Sequence, residues 1–552
     1  MTTFDPVTLG ILWDRLISIT NEIVLTVVRT SFSSIVRSYD LACVLFDAEG
    51  RSLAQGTFSV PVFIGTAPQT MRHMLAKFPP ETLRPGDVIV TNDIYMGTGH
   101  LWDVNVMRPA FHDGRLIGYA MSITHLPDIG GRGFSAVNVD EYEEGLQIPI
   151  MKLVDQGRLN EELIAIVRQN VRVPEQTVGD LMANVTAVEV GCRELVAFME
   201  EYRIDDLRPL SQAILSQSER MMRRRIADCP DGVYRNRIQV ESVGDPVTLA
   251  CAVSIAGDRL HVDFSGTSPS VPYSINVPLC YTRAMTCFSM KALLLPDIPN
   301  NEGSVNPIEL SAPVGSILNC QPPAATAARF QIGHFVAPLI FGALAEALPD
   351  RVQADPGMMN LLNVMGRRRD GRDFTTLYFS SGGFGALLGY DGTATTPAPS
   401  NMAVVATEDW EATTNIRVVR RELRADSGGA GEFRGGLGQV VELVNDTGHP
   451  LTVFGMGART DFPALGLQGG KPGARRLYRL NGEAVSAKGR HEMRPGDRLE
   501  MLESGAGGLG EPSRRPRQKL LQDIAEGFVT LGRAKADYGF DLAMEQSGKA
   551  AE

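Results

Sequence analysis

The sequence feature that most constrains the fold is the density of glycine and proline between Ser265 and about Gly510. Both residues interrupt regular helices, so a bundle of long helices is excluded for this stretch. The short apolar runs that lie among them are typical of β-strands. We therefore predict a β-rich body with long loops and one embedded helix at about residues 335–348.

Two β-hairpins are predicted within this body. Apolar residues alternate over residues 247–255 and again over residues 260–264, and Gly257-Asp258 supplies a turn between the two runs. The second hairpin is centred on Asn481-Gly482, a dipeptide that favours two-residue turns.

The first 230 residues combine helices with strands. Asp5-Pro6 is typical of an N-cap followed by a first-turn proline, and apolar residues then recur at helical spacing from Leu9 to Val27. Short apolar runs separated by turn residues predict strands and loops over residues 41–133. Helical spacing returns over residues 160–202.

These patterns predict an α+β fold in three parts. A mixed region with long helices covers residues 1–230 and carries the candidate site. The character of the sequence changes near Asp231-Gly232, and a β-rich region with glycine-rich loops follows over residues 231–515. Residues 516–552 are predicted to form a helical tail.

Charge and cysteine usage limit the partners and the compartment. The net charge of −11 repels nucleic-acid phosphates and anionic lipids alike, so neither is an expected partner. No apolar run reaches the ~18 residues of a membrane span, and Asp14 and Arg15 interrupt the N-terminal apolar stretch, so we expect no secretory signal. Seven scattered cysteines without a C-x-x-C pair predict reduced thiols and a cytoplasmic protein.

Two H-x-x-D motifs, His100 to Asp103 and His125 to Asp128, fall within one short segment. Two imidazoles and one carboxylate suit a divalent transition ion and leave coordination positions open. A hairpin that returns His125 to His100 and Asp103 would complete such a triad. The alternative is that both histidines are hydrogen-bonded loop residues and that the two aspartates accept hydrogen bonds in turns.

Glycine is densest over residues 426–438, which include Arg434. Consecutive glycines let backbone N–H groups approach an anion closely, and an arginine could clamp a phosphate. However, no phosphate-binding G-x-x-x-x-G-K-[ST] motif is present, and the G-x-G-x-x-G at Gly505 to Gly510 does not open a helix. We therefore predict tight loops here and no nucleotide cofactor bound by this chain.

Beyond these motifs, the whole sequence resembles the hydantoinase B/oxoprolinase family. That family includes the B component of N-methylhydantoinase, part of 5-oxoprolinase, and subunits of acetone and acetophenone carboxylases. The stretches that carry the resemblance are Thr30-Ser31-Phe32-Ser33, Phe46-Asp47-Ala48-Glu49-Gly50-Arg51, Gly99-His100-Leu101-Trp102-Asp103, His125-Leu126-Pro127-Asp128, Glu144-Gly145-Leu146-Gln147-Ile148-Pro149, Asp263-Phe264-Ser265-Gly266-Thr267-Ser268 and residues 426–438.

The resemblance implies an enzyme that hydrolyses C–N bonds of cyclic amides, as the B component of a hetero-oligomer. An ATP-binding A component, similar to hydantoinase A, would phosphorylate the substrate, and this chain would then act on it at a divalent-metal site. The implied metal ligands are His100, Asp103 and His125, with zinc, manganese or iron as the ion. Asp128 and Glu144 are the candidate catalytic carboxylates.

Three alternatives remain open. The chain could be part of an ATP-dependent ketone carboxylase, which belongs to the same family. A mononuclear iron oxygenase uses a similar ligand set, and a non-catalytic scaffold would need none of these residues for chemistry. Phe63 also departs from the resemblance, because many relatives carry histidine at the matching position.

Overall fold

A computed structural model describes residues 4–400 and 402–540 of the chain. The described residues form two compact units. Of the described residues, the first unit contains 4–237, 248–340 and 373–377, and the second contains 238–247, 341–372, 378–400 and 402–540. Each unit is therefore built from segments that are separated in the sequence. The predicted domains, divided at residues 230 and 515, are consecutive in the sequence, and this division stays a prediction.

Among the described residues of the first unit, six α-helices and seven strands precede residue 230. The helices are α1 (Pro6–Thr30), α2 (Ser34–Arg37), α3 (Ala67–Lys77), α4 (Glu161–Asn170), α5 (Pro174–Tyr202) and α6 (Arg208–Ala227). The strands are β1 (Leu41–Asp47), β2 (Ser52–Gln55), β3 (Val88–Thr91), β4 (Asp103–His112), β5 (Arg115–His125), β6 (Met151–Asp155) and β7 (Arg158–Leu159). The strands form one antiparallel sheet in the order β2-β1-β5-β4-β3-β6-β7. Helix α5 packs against β4 and β5, and α1 packs against α5, β1 and β2.

Helix α1 begins and packs as the sequence predicts. The Asp5 carboxylate accepts hydrogen bonds from the N–H groups of Val7 and Thr8 at 3.1 and 3.0 Å, and Pro6 occupies the first turn. The apolar stripe from Leu9 to Val27 is buried. Because this stripe packs against α5 and the sheet, α1 helps to hold in place the sheet that carries the candidate site.

A second sheet of the first unit follows the helices. Its strands are β8 (Gly232–Val240), β9 (Val247–Ala256), β10 (Arg259–Asp263) and β11 (Ile308–Ser311), in the order β11-β10-β9-β8. Helices α7 (Leu279–Leu294), α8 (Phe330–Gly333) and α9 (Val336–Ala343) complete this part of the chain. The predicted hairpin over residues 247–264 is confirmed by the antiparallel pairing of β9 with β10.

The rest of the described chain is rich in strands. One sheet has the order β13-β12-β16-β19 and another has the order β14-β15-β20-β17-β18. Their strands are β12 (Met359–Arg367), β13 (Asp373–Ser381), β14 (Ile416–Leu423), β15 (Gln439–Asn445), β16 (Leu451–Met456), β17 (Leu477–Leu480), β18 (Glu483–Val485), β19 (Lys488–Met493) and β20 (Arg498–Leu502). The helices are α10 (Thr407–Thr414), α11 (Arg517–Ala525) and α12 (Leu531–Tyr538). Asn481 and Gly482 both have positive φ, as the predicted two-residue turn between β17 and β18 requires.

The glycine-rich segments pack backbone against backbone. A Cβ added at Gly383 would lie 1.8 Å from the carbonyl oxygen of Gly436, and one added at Gly505 would lie 1.7 Å from that of Ser427. Arg434 points its guanidinium inward, donating to the carbonyl of Gly435 at 2.8 Å. These contacts agree with tight packing in residues 426–438, the interpretation preferred from the sequence.

The α+β class is confirmed by the mixture of helices and several sheets. The embedded helix is shorter than predicted, since α9 ends at Ala343. The tail forms two short helices, because Gly527, with φ +75°, lies between α11 and α12. Residues 541–552 of the predicted tail lie outside the described residues. None of the described helices is long and apolar enough to cross a membrane.

Candidate metal centre

The β4–β5 hairpin brings the three predicted ligands together. Asp103 is the first residue of β4, His125 is the last residue of β5, and the two are direct partners in the antiparallel ladder. His100 lies three residues before β4, after Gly99 with φ +96°. One ligand atom from each side chain lies within 4.8 Å of the others, and all three residues are buried. The predicted convergence of His100, Asp103 and His125 is therefore present in the structure.

The spacing of these atoms fits a transition ion. His100 Nε2 lies 2.9 Å from Asp103 Oδ2, and His125 Nδ1 lies 3.3 Å from Asp103 Oδ1. Two ligand bonds of ~2.1 Å place their donor atoms about 3.0 Å apart at a right angle and about 3.4 Å apart at a tetrahedral angle. Each observed separation lies close to these values, with the two histidines facing different oxygens of Asp103.

The histidine tautomer also fits metal binding. The Nδ1–H of His100 donates to the carbonyl oxygen of Ala327 at 3.0 Å, which leaves the lone pair on Nε2. That Nε2 is buried and, despite its closeness to Asp103, makes no hydrogen bond with any described residue. Burial, with the charge of Arg329, lowers the pKa of His100 to about 4, so the ring is neutral at pH 7. A neutral ring with a free lone pair is the form that binds a metal.

Asp103 is held by a second set of residues. The Thr98 hydroxyl donates to Asp103 Oδ2 at 2.8 Å, and Arg329 Nη2 donates to the same oxygen at 3.0 Å. Burial opposes ionisation, yet the pKa of Asp103 lies well below its ordinary value, and the Arg329 guanidinium that donates to its carboxylate favours the ionised form. Asp103 is thus an ionised carboxylate in a fixed orientation.

Aromatic rings surround the histidines. Trp102 stacks on His125 with 5.7 Å between ring centroids, and Phe134 meets the same imidazole edge-on at 5.0 Å. Phe134 also contacts the His100 ring at 5.9 Å. The rings fix both imidazole planes and lower the local dielectric, which strengthens the electrostatic interactions within the cluster.

Asp40 is a site residue that the sequence did not reveal. Its Oδ2 lies 3.8 Å from His125 Nδ1, and its carbonyl oxygen accepts a hydrogen bond from the His125 N–H. Burial raises the pKa of Asp40 to about 6. Asp40 reaches the cluster because it directly precedes β1, which pairs with β5. No motif marks it, since Asp40 before an apolar run is also ordinary turn chemistry.

Asp128 and Glu144 lie outside the group of ligand atoms. The Asp128 carboxylate accepts hydrogen bonds from the Gly130 N–H at 3.0 Å and from Arg172 Nη1 at 2.8 Å. Glu144 Oε1 accepts from the N–H groups of Thr326 and Ala327 at 2.7 and 2.6 Å. Because the carbonyl of Ala327 holds His100, Glu144 orients the segment behind this ligand. Catalytic roles for Asp128 and Glu144 stay predictions.

Phe63, the position at which many relatives carry histidine, lies buried in a single helical turn at Pro61–Ile64. Arg329, like Asp40, is a site residue that the sequence did not reveal. It lies 226 positions from Asp103 in the chain, and no local pattern distinguishes it.

Comparison with known proteins decides the family. The family model described as Hydantoinase B/oxoprolinase matches residues 5–512. The chain belongs to the hydantoinase B/oxoprolinase family. It is 30% identical to the B component of a putative D-/L-hydantoinase of Pseudomonas sp. (strain NS671), over 98% of this chain and 95% of that protein.

Two solved structures of relatives share the fold. The ATP-dependent caprolactamase of Pseudomonas jessenii is 29% identical, with a TM-score of 0.89 over 98% of each chain. Acetone carboxylase in its nucleotide-free structure has a TM-score of 0.88 over 97% of this chain and 79% of that one. Its identity is 20%, so this likeness concerns the fold alone.

Proposed function

We propose that this hydantoinase B family chain is the B component of an ATP-dependent cyclic-amide hydrolase and acts on a substrate phosphorylated by a partner A component. The observation that carries the proposal is the buried His100–Asp103–His125 cluster in a chain whose relatives are named as a hydantoinase component and an ATP-dependent caprolactamase. The partner is proposed because the hydantoinase relative is named as one subunit of its enzyme.

The chemistry explains why activation precedes attack. Amide resonance makes a lactam carbonyl a poor electrophile, and phosphorylating the carbonyl oxygen makes the carbon reactive. Opening of the C–N bond and release of phosphate together consume two water molecules. A divalent ion held by His100, Asp103 and His125 would lower the pKa of bound water toward neutrality. Zinc, manganese and iron all accept this ligand set.

The chain's own residues divide the remaining tasks. Asp40 is the proton acceptor for the attacking water, because its carboxylate adjoins the cluster and is 14% exposed. Thr98 and Arg329 fix Asp103, and the segment held by Glu144 fixes His100. Trp102 and Phe134 exclude bulk water from the imidazoles.

The proposal is tested by reconstitution with a co-expressed A-type partner. Lactams, hydantoins and 5-oxoproline are supplied in turn, and ATP turnover is measured together with the ring-opened product. We expect substrate-stimulated ATP hydrolysis that needs both chains and is lost in His100→Ala. Robust ATP hydrolysis by this chain alone, or full activity in His100→Ala, would refute the proposal; the second result is the one that a scaffold predicts.

The same preparation separates the remaining alternatives. A ketone carboxylase incorporates label from bicarbonate into its product, whereas a hydrolase does not. An iron oxygenase consumes oxygen when Fe(II) and a co-substrate are added. We expect neither signal.

A further inference from the structure

The Arg329 guanidinium is only partly used by the interactions that hold it. Its Nε donates to the carbonyl oxygen of Thr98 at 2.8 Å, and its Nη2 donates to Asp103 Oδ2 at 3.0 Å. Its Nη1 makes no hydrogen bond to any described residue, yet it is not among the fully buried unpartnered nitrogens. The side chain as a whole is 5% exposed. Nη1 therefore retains free donors and some access to solvent beside the candidate metal centre.

The Arg329 side chain is held by an aromatic ring and by its hydrogen bonds. The Tyr281 ring lies under it, with 4.0 Å between the guanidinium carbon and the ring centroid. The main chain also approaches the side chain closely, because a Cβ added at Gly99 would lie 3.0 Å from Arg329 Cδ and Nε. The Tyr281 hydroxyl is itself 3.3 Å from His334 Nε2. Because the group is rigid, Nη1 is presented to a ligand without further loss of side-chain entropy.

Charge balance favours an anion at this position. A divalent ion together with Arg329 leaves the cluster net positive even when Asp103 and Asp40 are both ionised. A buried excess of positive charge is unfavourable unless an anion offsets it. Guanidinium nitrogens bind phosphate oxygens through short, charge-assisted hydrogen bonds.

We propose that Arg329 Nη1 binds the phosphoryl group of the activated substrate, so that Arg329 joins the candidate metal centre to an oxyanion site. This inference rests on the proposed function, which supplies a phosphorylated substrate. Nη1 and Nη2 belong to one planar group, so the bound phosphoryl group lies within a few ångströms of Asp103. Bicarbonate is the competing oxyanion, since a carboxylase would bring it to the same donors.

The test uses the full chain loaded with Mn²⁺ and inorganic phosphate as the probe. Phosphate affinity is measured by calorimetry for the wild type, Arg329→Met and Arg108→Met. Arg108 lies on β4, the strand that begins at Asp103, and its guanidinium pairs with Glu189 at 3.8 Å. We expect at least a tenfold loss of phosphate affinity in Arg329→Met, and none in Arg108→Met. Equal phosphate affinity in all three proteins would overturn the assignment, as would tighter binding of bicarbonate than of phosphate.

A second measurement needs no substitution. Phosphate bound beside the cluster has its ³¹P relaxation strongly enhanced by Mn²⁺ in the wild-type chain, and His125→Ala removes the enhancement by removing the ion. Absence of enhancement in Mn²⁺-loaded wild type would overturn the proposal even if Arg329→Met failed to fold. Phosphate binding through Arg329 in a chain that shows no lactam-dependent ATP turnover would refute the proposed function and leave the oxyanion site standing.

Discussion

Asp103 and His125 face each other across the first rung of the β4–β5 ladder, so the hairpin register itself sets the distance between the candidate ligands. His125 contributes its imidazole from the end of a buried strand, where neighbouring backbone hydrogen bonds hold it. Removal of this side chain should leave too few ligands to retain an ion.

We therefore predict that His125→Ala purifies without metal, whereas the wild type carries about one transition ion per chain. Elemental analysis of the two proteins measures this directly. His112→Ala is the matched control, because His112 ends β4 at the opposite end of the same hairpin. Equal metal content in His125→Ala and the wild type would contradict the proposed ligand set.

Thr98→Val should weaken metal binding roughly tenfold, the scale of losses when a group that orients a ligand is removed. Valine keeps the shape of threonine but cannot donate to Asp103 Oδ2. Thr91→Val is the control, because the Thr91 hydroxyl donates to the carbonyl of Ile148 at 2.9 Å. Its loss should destabilise the fold by about 1 kcal/mol and leave metal affinity unchanged. Competition against a chromogenic chelator gives both affinities, and unchanged binding in Thr98→Val would exclude this role of the hydroxyl.

Asp40→Asn should lower kcat of the reconstituted complex by about 10²-fold or more while the chain keeps its metal, because asparagine cannot accept the proton from water. Asp93→Asn is the control, since the Asp93 side chain accepts hydrogen bonds from the N–H groups of Tyr95 and Met96 in a turn that asparagine also supports. Loss of metal from Asp40→Asn would instead identify Asp40 as a further ligand. Full activity in this variant would exclude both roles.

Glu144 should make stability depend on pH. Burial raises the pKa of Glu144 from 4.5 to about 8, so the folded chain holds this proton more tightly than the unfolded chain does. Its contribution to stability is fully present below pH 4.5 and is lost as pH rises toward 8, by up to roughly 1.4 kcal/mol per pH unit.

Glu144→Gln keeps an acceptor for the N–H groups of Thr326 and Ala327 and removes the titration. We expect its unfolding temperature to match the wild type near pH 5 and to exceed it increasingly toward pH 9. The neighbouring Glu143→Gln should show no such rise, because a hydrogen bond from the Val139 N–H lowers the pKa of Glu143. A constant difference between Glu144→Gln and the wild type at all pH values would contradict the assignment.

Two glycine substitutions should have opposite effects. Gly383→Ala places a methyl group against the carbonyl of Gly436 and should destabilise the second unit by at least about 3 kcal/mol. Gly10→Ala meets nothing within 4 Å in α1 and should stabilise the chain by about 1 kcal/mol. Chemical denaturation compares both with the wild type. Tolerance of alanine at residue 383 would show that the backbone packing is loose.

The sequence allowed the hairpins, α1 and the three candidate ligands to be predicted because local patterns encode each of them. Asn481-Gly482 specifies its own turn, and His100 and Asp103 lie close together in the chain. The surrounding residues were not predictable in this way. Arg329 and Ala327 reach the cluster through contacts more than two hundred positions away, and no periodicity encodes such contacts. Tight loops were predicted for the glycine-rich residues, but their packing partners were not, because main-chain atoms make those contacts.

The acceptor that orients His100 is a main-chain carbonyl, that of Ala327. Every amino acid carries this group, so no replacement of the Ala327 side chain alone deletes the oxygen that selects the tautomer. The candidate centre is in this respect robust to point mutation. It is sensitive instead to insertions or deletions that redirect the chain between Gln321 and Arg329. A change in the length of this segment should therefore impair metal binding more than a substitution of the Ala327 side chain.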